Sequence, residues 1–132
     1  EGANVRVLVH TWAKAAYVSR FDVEFIQADI YDKDAMVQAT KGCDYIMHLA
    51  ITGGRDSAES IANSERAIDA LMFAARENQV KHVVVTSSVV VHGETIKDDL
   101  MADSPLVSYG DAYADGKLAA EMRVCKLYTF SI

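Results

Sequence analysis

The sequence predicts an α/β fold built on a parallel sheet. Short, β-branched apolar segments alternate with segments of helical character along most of the chain. Most of the strand candidates are continuous apolar runs, which is typical of parallel strands covered by helices on both faces. The chain has 132 residues, of which 51% are hydrophobic and 24% charged, and no internal repeat or Pro-rich linker divides it. We therefore expect one domain over residues 1–132, with a buried core.

The apolar runs predict four strands, at residues 5–9, 23–27, 45–49 and 81–87. Residues 11–19 predict a short, weak helix between the first two strands. Residues 33–40 predict a second helix, which Asp32 can cap and Gly42 can end. Each helix separates two strands, as a parallel sheet requires.

The second half of the chain continues the alternation. Residues 51–56 form a loop, and residues 57–78 predict a long amphipathic helix. A polar, acidic connection at residues 93–105, with room for one short helix, precedes a helix at residues 108–125. Residues 127–132 have the composition of a further strand.

Composition and charge exclude several classes of partner. The formal net charge is −6, and because no basic patch is visible we expect no nucleic-acid partner. No apolar run approaches the roughly 20 residues of a membrane helix, and the start of the sequence lacks the pattern of a signal peptide. The two cysteines, Cys43 and Cys125, lie far apart without metal-ligand spacing. We therefore expect reduced thiols, a cytoplasmic location, no membrane partner and no metal.

A hydroxyl, a phenol and an ammonium can meet near the end of the fourth strand. Ser88 follows that strand, and Tyr113 and Lys117 are four residues apart on the last predicted helix, hence on one face of it. The carboxyl ends of parallel strands are where such sheets bind ligands. An ammonium beside a phenol favours the phenolate, which can exchange a proton with a hydroxyl or carbonyl of a substrate. Hydride transfer would need a nicotinamide, because no side chain performs that step.

The chain resembles the extended short-chain dehydrogenase/reductase family, which includes NAD-dependent epimerase/dehydratases and enzymes like dihydroflavonol reductase. Matching stretches occur in family order over most of the chain, at residues 5–9, 27–30, 41–50, 80–88 and 113–121. The last of these contains the Tyr-x-x-x-Lys pattern. The resemblance implies a Rossmann-like, doubly wound parallel sheet and NAD or NADP as the cofactor.

The resemblance also implies a catalytic role for three residues. Ser88, or alternatively Ser87, would orient the substrate oxygen. Tyr113 would be the acid and base, and Lys117 would favour its phenolate and bind the nicotinamide ribose.

Further residues would contact the cofactor. Asp29 and Ile30 would flank the adenine, although Asp29 serves equally well to start the turn into the next helix. His10 stands where the family often selects between NAD and NADP, and a histidine decides neither. The complete set implied to contact the cofactor is His10, Asp29, Ile30, Leu49, Ala50, Thr86, Ser87, Tyr113 and Lys117.

The sequence departs from the family in three places. The family's first strand and glycine-rich turn should precede Val5, but only four residues do. The helix over residues 57–78 keeps only Asn63 of the family's Asn-x-x-Gly-Thr pattern. The family continues beyond Ile132 into a substrate-binding portion. We therefore predict a truncated Rossmann-like sheet without its central strand and glycine loop.

The missing strand would leave a gap in the sheet, because the absent first strand lies at the centre of the order 3-2-1-4-5-6. Residues 127–132 could fill the gap, either from the same chain or swapped from a second copy in a homodimer or larger oligomer. A strand of a separate polypeptide could also fill it, or the sequence is a piece of a longer protein. The expected function is proton transfer coupled to nicotinamide hydride transfer on a small-molecule substrate that the sequence does not identify. The alternative is an inactive remnant that binds a nucleotide or a partner protein.

Overall fold

The computed structural model describes residues 2–93, 99–101 and 103–129. Within them, four strands alternate with helices in the predicted order. The elements are β1 (Arg6–Val9), α1 (Trp12–Ala15), β2 (Glu24–Gln27), α2 (Lys33–Thr40), β3 (Tyr45–His48), α3 (Ser57–Glu77), β4 (His82–Val85), a 3-10 turn (Val89–His92) and α4 (Ala112–Thr129). No helix in this described part of the chain is long and apolar enough to cross a membrane.

Helix α2 is fixed at both ends. At its start, the Asp32 carboxylate accepts hydrogen bonds from the backbone N–H groups of Asp34 and Ala35, at 2.9 and 3.0 Å. At its end, the guanidinium of Arg6 on β1 donates to the carbonyls of Ala39 and Lys41, at 2.9 and 2.8 Å. Carbonyls of the last helical turn have no hydrogen-bond partner within the helix. The Arg6 guanidinium donates hydrogen bonds to two carbonyls at this end and so attaches α2 to β1.

Helix α3 carries the core. The Asp56 side chain caps it by accepting from the N–H of Glu59, at 2.8 Å. Its inner face follows the helical period, with Ile68, Leu71 and Ala75 all at most 6% exposed. The core cluster around this face comprises Met36, Ile68, Ala70, Leu71 and Ala74, with half-buried neighbours from β1, β3, β4 and α4.

The strands form two separate parallel pairs. β1 pairs with β2, with Arg6 opposite Glu24, and β3 pairs with β4, with Tyr45 opposite His82. Within the described residues, no bridge joins β1 to β3. The order β2-β1, gap, β3-β4 is the doubly wound order with its central strand missing. The predicted truncated α/β sheet is therefore confirmed.

One face of the β3–β4 pair lacks a helix in the described structure. α3 packs against both α2 and α4, and Ile46, Val83 and Val85 face the core that these helices share. On the other side, alternate residues of the two strands are exposed; these are Tyr45, Met47 and Val84, at 51–66%. Our expectation of helices on both faces is wrong for this pair over residues 2–93, 99–101 and 103–129.

The prediction of a strand at residues 127–132 is also wrong as far as the structure describes that segment. α4 continues to Thr129, because Ala120, Val124 and Leu127 extend a helical apolar stripe that packs on the core. Residues 130–132 lie outside the described residues. Residues 127–129 therefore cannot fill the gap between β1 and β3.

Two other elements differ from the prediction. α1 is four residues long, and the remainder of the predicted helix at residues 11–19 forms turns. The short helix expected at residues 93–105 lies partly outside the described residues, and a 3-10 turn occurs earlier, at Val89–His92.

Candidate functional site

Polar and small residues follow the carboxyl ends of all four strands. His10 follows β1, Asp29 lies two residues after β2, Ala50 lies two residues after β3, and Thr86 follows β4. All four are exposed. Parallel strands end at the same edge of a sheet, so these residues lie along the edge where doubly wound sheets bind ligands.

The β1–β2 side of this edge holds the residues predicted to contact the adenosine. The Asp29 carboxylate accepts the N–H of Tyr31 at 2.9 Å, so it does start the turn, and Asp29 as a whole is exposed. Ile30 packs half-buried against the core, which leaves chiefly its backbone for a ligand. The His10 carbonyl accepts from Gln27 Nε2 at 3.2 Å, while the imidazole of His10 is exposed.

On the β3–β4 side, Lys117 is bound to the end of β4. Its Nζ donates to the carbonyl of Thr86 at 3.0 Å. An ammonium has three N–H donors, so two remain for other acceptors. Ala50, Thr86 and Lys117 line one small pocket, and Leu49 beside them is 60% exposed. The structure thus brings together four of the residues predicted to contact the cofactor.

Tyr113 lies on the first turn of α4 and is 44% exposed. It is one helical turn before Lys117, on the same face. Asp111 holds this turn, because its carboxylate accepts the N–H of Ala114 at 2.8 Å. Within the described structure, no hydrogen bond joins Tyr113 to Ser88, and their predicted cooperation in catalysis remains a prediction.

Asp115 stabilises the same turn from the buried side of the helix, where it is only 4% exposed. Its carboxylate accepts the Ser108 hydroxyl at 2.8 Å. That hydrogen bond, followed by smaller contributions from Ser57, Tyr109 and Gly110, holds the Asp115 pKa below its usual range against the opposing effect of burial. Asp115 therefore stays ionised at neutral pH, and its carboxylate interacts with both the start of α3 and the loop before α4.

The two serines after β4 make different hydrogen bonds. The Ser87 hydroxyl donates to the carboxylate of Glu121 on α4. Ser88 Oγ accepts the N–H of Val90 at 3.5 Å and caps the 3-10 turn. A serine hydroxyl has one proton to donate, so Ser87 has used its proton and Ser88 has not. The geometry favours Ser88 as the hydroxyl that could donate to a substrate oxygen.

His48 lies in the same small pocket, beneath Lys117. Burial, and to a lesser extent the positive charge of Lys117, lower the pKa of His48. The imidazole is therefore neutral at pH 7 and does not repel the ammonium. The hydroxyls of Thr52 and Ser64, hydrogen-bonded at 2.6 Å, complete the polar lining.

Sequence reasoning missed the involvement of Glu121 and of the Thr52–Ser64 pair. Glu121 was detectable in principle, because it stands four residues after Lys117 and so shares the helical face of Tyr113 and Lys117. The Thr52–Ser64 contact joins a loop to a helix, and no local pattern indicates it.

The described residues fit the two ends of a dinucleotide better than its centre. Leu49 and Ala50 are exposed, and within the described residues Lys117 uses one of its three ammonium protons, an arrangement that suits the nicotinamide and its ribose. Gly54, in the loop after β3, lies against the start of α3. A Cβ at Gly54 would lie 2.4 Å from the backbone nitrogen of Ser60, so this glycine permits close packing against α3.

Comparison with known proteins agrees with this geometry. The NAD(P)H-binding family matches residues 1–124. No curated protein is significantly similar to the chain in sequence. The Streptomyces venezuelae dTDP-glucose 4,6-dehydratase, solved with NAD bound, is 22% identical, with a TM-score of 0.78 over 99% of this chain and 44% of its own.

Two further structures are similar. A UDP-glucose 4-epimerase from Bifidobacterium longum, in complex with NAD+ and UDP, is 18% identical, with a TM-score of 0.74 over 98% of this chain and 43% of its own. A mutated uronate dehydrogenase is 25% identical, with a TM-score of 0.77 over 97% of this chain and 46% of its own. The chain spans less than half the length of each of these three structures.

The match of family and fold confirms the Rossmann-like architecture and the predicted class of cofactor, NAD or NADP. Doubly wound sheets bind their ligands at the carboxyl edge of the strands. The chain belongs to the NAD(P)H-binding family.

Proposed function

We propose that this chain is the nicotinamide-binding part of an NAD(P)-dependent oxidoreductase or epimerase/dehydratase, with Ser88, Tyr113 and Lys117 as its catalytic residues. The observation that carries the proposal is the hydrogen bond from Lys117 Nζ to the Thr86 carbonyl at 3.0 Å. It holds the ammonium where β4 ends, two residues before Ser88 and one helical turn from Tyr113.

Each of the three side chains has a distinct role. The Lys117 ammonium stabilises negative charge on the Tyr113 phenol, and the phenolate takes the proton of a substrate hydroxyl. Ser88 donates a hydrogen bond to the same substrate oxygen, which prevents that oxygen from turning away. NAD or NADP, when bound, supplies the acceptor for the hydride that leaves the carbon. In reverse, Tyr113 returns the proton to a carbonyl oxygen as the carbon is reduced.

Three variants, of which one is a control, test these roles in a chromatographic assay of the sugar-nucleotide product, because epimerases and dehydratases return their coenzyme to its starting oxidation state. UDP-glucose and dTDP-glucose are the first substrates, because two similar structures act on them by name. Tyr113→Phe removes the transferable proton, and we expect its kcat to fall about 100- to 10,000-fold. Lys117→Met should lower kcat and also weaken coenzyme binding. Lys126→Met, an exposed lysine farther along α4, is the matched control and should behave as wild type. Turnover by Tyr113→Phe at the wild-type rate would overturn the assignment.

We also propose that an extended apolar segment from outside residues 1–132 completes the sheet between β1 and β3, parallel to both. In this register, the backbone N–H and C=O groups of Val7 and Val9 point toward β2, and those of Ile46 point toward β4. The N–H and C=O groups of Leu8 and Met47 therefore point into the gap. Unpaired N–H and C=O groups along a strand edge form a template for another strand, which favours a strand in that position.

Amide hydrogen exchange tests this second proposal residue by residue. In the isolated chain, we expect Leu8 and Met47 to exchange much faster than Val7 and Ile46, whose N–H groups are already bonded. Joining or adding the completing strand should slow exchange at Leu8 and Met47 only. Equal protection of all four amides in the isolated monomer would contradict the proposal. If protection instead rises with protein concentration together with the mass of a dimer, a second copy supplies the strand and a segment outside residues 1–132 does not.

A further inference from the structure

The hydrogen bond between Ser87 and Glu121 joins the end of β4 to α4 beside the proposed catalytic residues. Ser87 is the second residue after β4, and Glu121 lies one turn beyond Lys117. The Ser87 hydroxyl is the donor and a carboxylate oxygen of Glu121 the acceptor. This contact lies in a groove that Lys117 also lines.

Two hydrogen bonds attach the residues after β4 to α4, whereas a single bond would let that segment rotate about it. Thr86 is held through its carbonyl by Lys117, and the next residue, Ser87, is held through its side chain by Glu121. The two helical residues are four apart, on one face of α4. Successive residues of the strand end are thereby attached to successive turns of the helix, which fixes both the distance and the rotation of Ser88, the residue that follows.

The same contact distinguishes the two neighbouring hydroxyls. Ser87 gives its one proton to Glu121, whereas Ser88 Oγ is only an acceptor, for the Val90 N–H at 3.5 Å. Without the carboxylate, Ser87 would be free to rotate and to compete for the substrate oxygen. Glu121 therefore determines which of two adjacent serines is available.

We propose that Glu121 is a positioning residue, which engages Ser87 and so sets Ser88 against Tyr113 for proton transfer; this inference rests on the function proposed above. Glu121 touches neither substrate nor coenzyme in this role. It acts by accepting a hydrogen bond, so an uncharged acceptor of the same shape should replace it.

Four variants separate the hydrogen bond from the charge. Ser87→Ala and Glu121→Ala each remove the bond, and because small displacements of reacting groups are costly we expect kcat to fall about 10- to 100-fold. In Glu121→Ala, KM for the coenzyme should stay within about twofold, because Lys117 keeps its own contact. Glu121→Gln retains an acceptor oxygen and should keep kcat within about threefold. Glu77→Gln, on an exposed carboxylate at the end of α3, is the control.

A second measurement needs no turnover and so separates failure of this inference from failure of the proposed function. We expect amide exchange at Val90 and Val91, whose N–H groups donate to Ser88, to accelerate at least about tenfold in Ser87→Ala and Glu121→Ala, and not in Glu121→Gln. Unchanged exchange in both alanine variants would overturn the inference, as would a kcat in Glu121→Gln as low as in Glu121→Ala. If the wild type shows no turnover but the two alanine variants show faster exchange, the proposed catalytic function is wrong and the positioning contact is still supported.

Discussion

The buried carboxylate of Asp115 provides the sharpest prediction about stability. It is 4% exposed and accepts the hydroxyl of Ser108 at 2.8 Å, while Ser57, Tyr109 and Gly110 make smaller contributions that also lower its pKa. Asp115→Asn preserves the shape of the side chain. It replaces one acceptor oxygen by an NH2 group that faces donors, and it removes the charge.

The expected cost follows from these contacts. A hydrogen bond to a charged group contributes about 1.5–3 kcal/mol, and a buried donor left unpaired costs about 1–3 kcal/mol. The asparagine oxygen can keep part of these contacts, so we expect Asp115→Asn to lower the free energy of unfolding by about 2–4 kcal/mol. Domains of this size are stable by roughly 5–15 kcal/mol, so the loss is a large fraction of the total.

Urea unfolding followed by circular dichroism measures this cost, with Asp44→Asn as the control. Asp44 pairs with Lys81 at 2.7 Å, but both side chains are at least 60% exposed, so its loss should cost less than about 1 kcal/mol. A change below 1 kcal/mol in Asp115→Asn would refute the reasoning.

The pH dependence of the same variant gives an independent check. The pKa of Asp115 is lower in the folded state than in the unfolded state, so its charge-dependent stabilisation is complete above about pH 4. That stabilisation is lost as the pH falls through the folded-state pKa. The difference in stability between wild type and Asp115→Asn should therefore narrow below about pH 4. The same difference at pH 3 and pH 7 would show that the charge is irrelevant.

Two further predictions concern the packing of α4 on α3. A Cβ at Gly116 would lie 3.2 Å from Ser64 Oγ and 3.3 Å from Ser60 Cβ. Gly116→Val should therefore lower the free energy of unfolding by about 2 kcal/mol or more, measured in urea. An unchanged free energy of unfolding would mean that α3 and α4 can move apart without cost. The half-buried guanidinium of Arg123 binds both oxygens of Asp69, at 2.7 and 2.9 Å, so Arg123→Lys, which keeps the charge but not the planar fork, should cost about 0.5–1.5 kcal/mol. If Arg123→Lys were as stable as wild type, the Arg123–Asp69 contact would contribute through charge alone and not through its two parallel hydrogen bonds.

The elements that the sequence predicted best are those defined by local pattern. Asp32 as a helix cap and the apolar run of β4 are both readable over a few residues, and both are present in the structure. The gap between β1 and β3 was also predictable, because the missing strand has a known place in the sheet order. The end of α4 was not, because residues 127–132 have strand composition, while the packing of Leu127 on the core favours helix.

The candidate site was predictable only in part. The spacing of Tyr113 and Lys117 indicated a shared helical face, but which carbonyl would receive the lysine depends on how α4 packs against the end of β4. The choice between Ser87 and Ser88 depended on Glu121, a contact across 34 residues. Such contacts arise from tertiary packing, and neither hydropathy nor local propensity encodes them.

The central claim is that this chain binds a nicotinamide coenzyme at the carboxyl edge of its sheet. The most direct test is the free energy of unfolding measured across a titration with NADH and, separately, NADPH. We expect one of them to stabilise the chain, by about 2.7 kcal/mol at 100 times its dissociation constant. Lys117→Met should shift the midpoint of the titration to higher coenzyme concentration, and Lys126→Met should not. No stabilisation by either coenzyme at millimolar concentration would contradict the central claim.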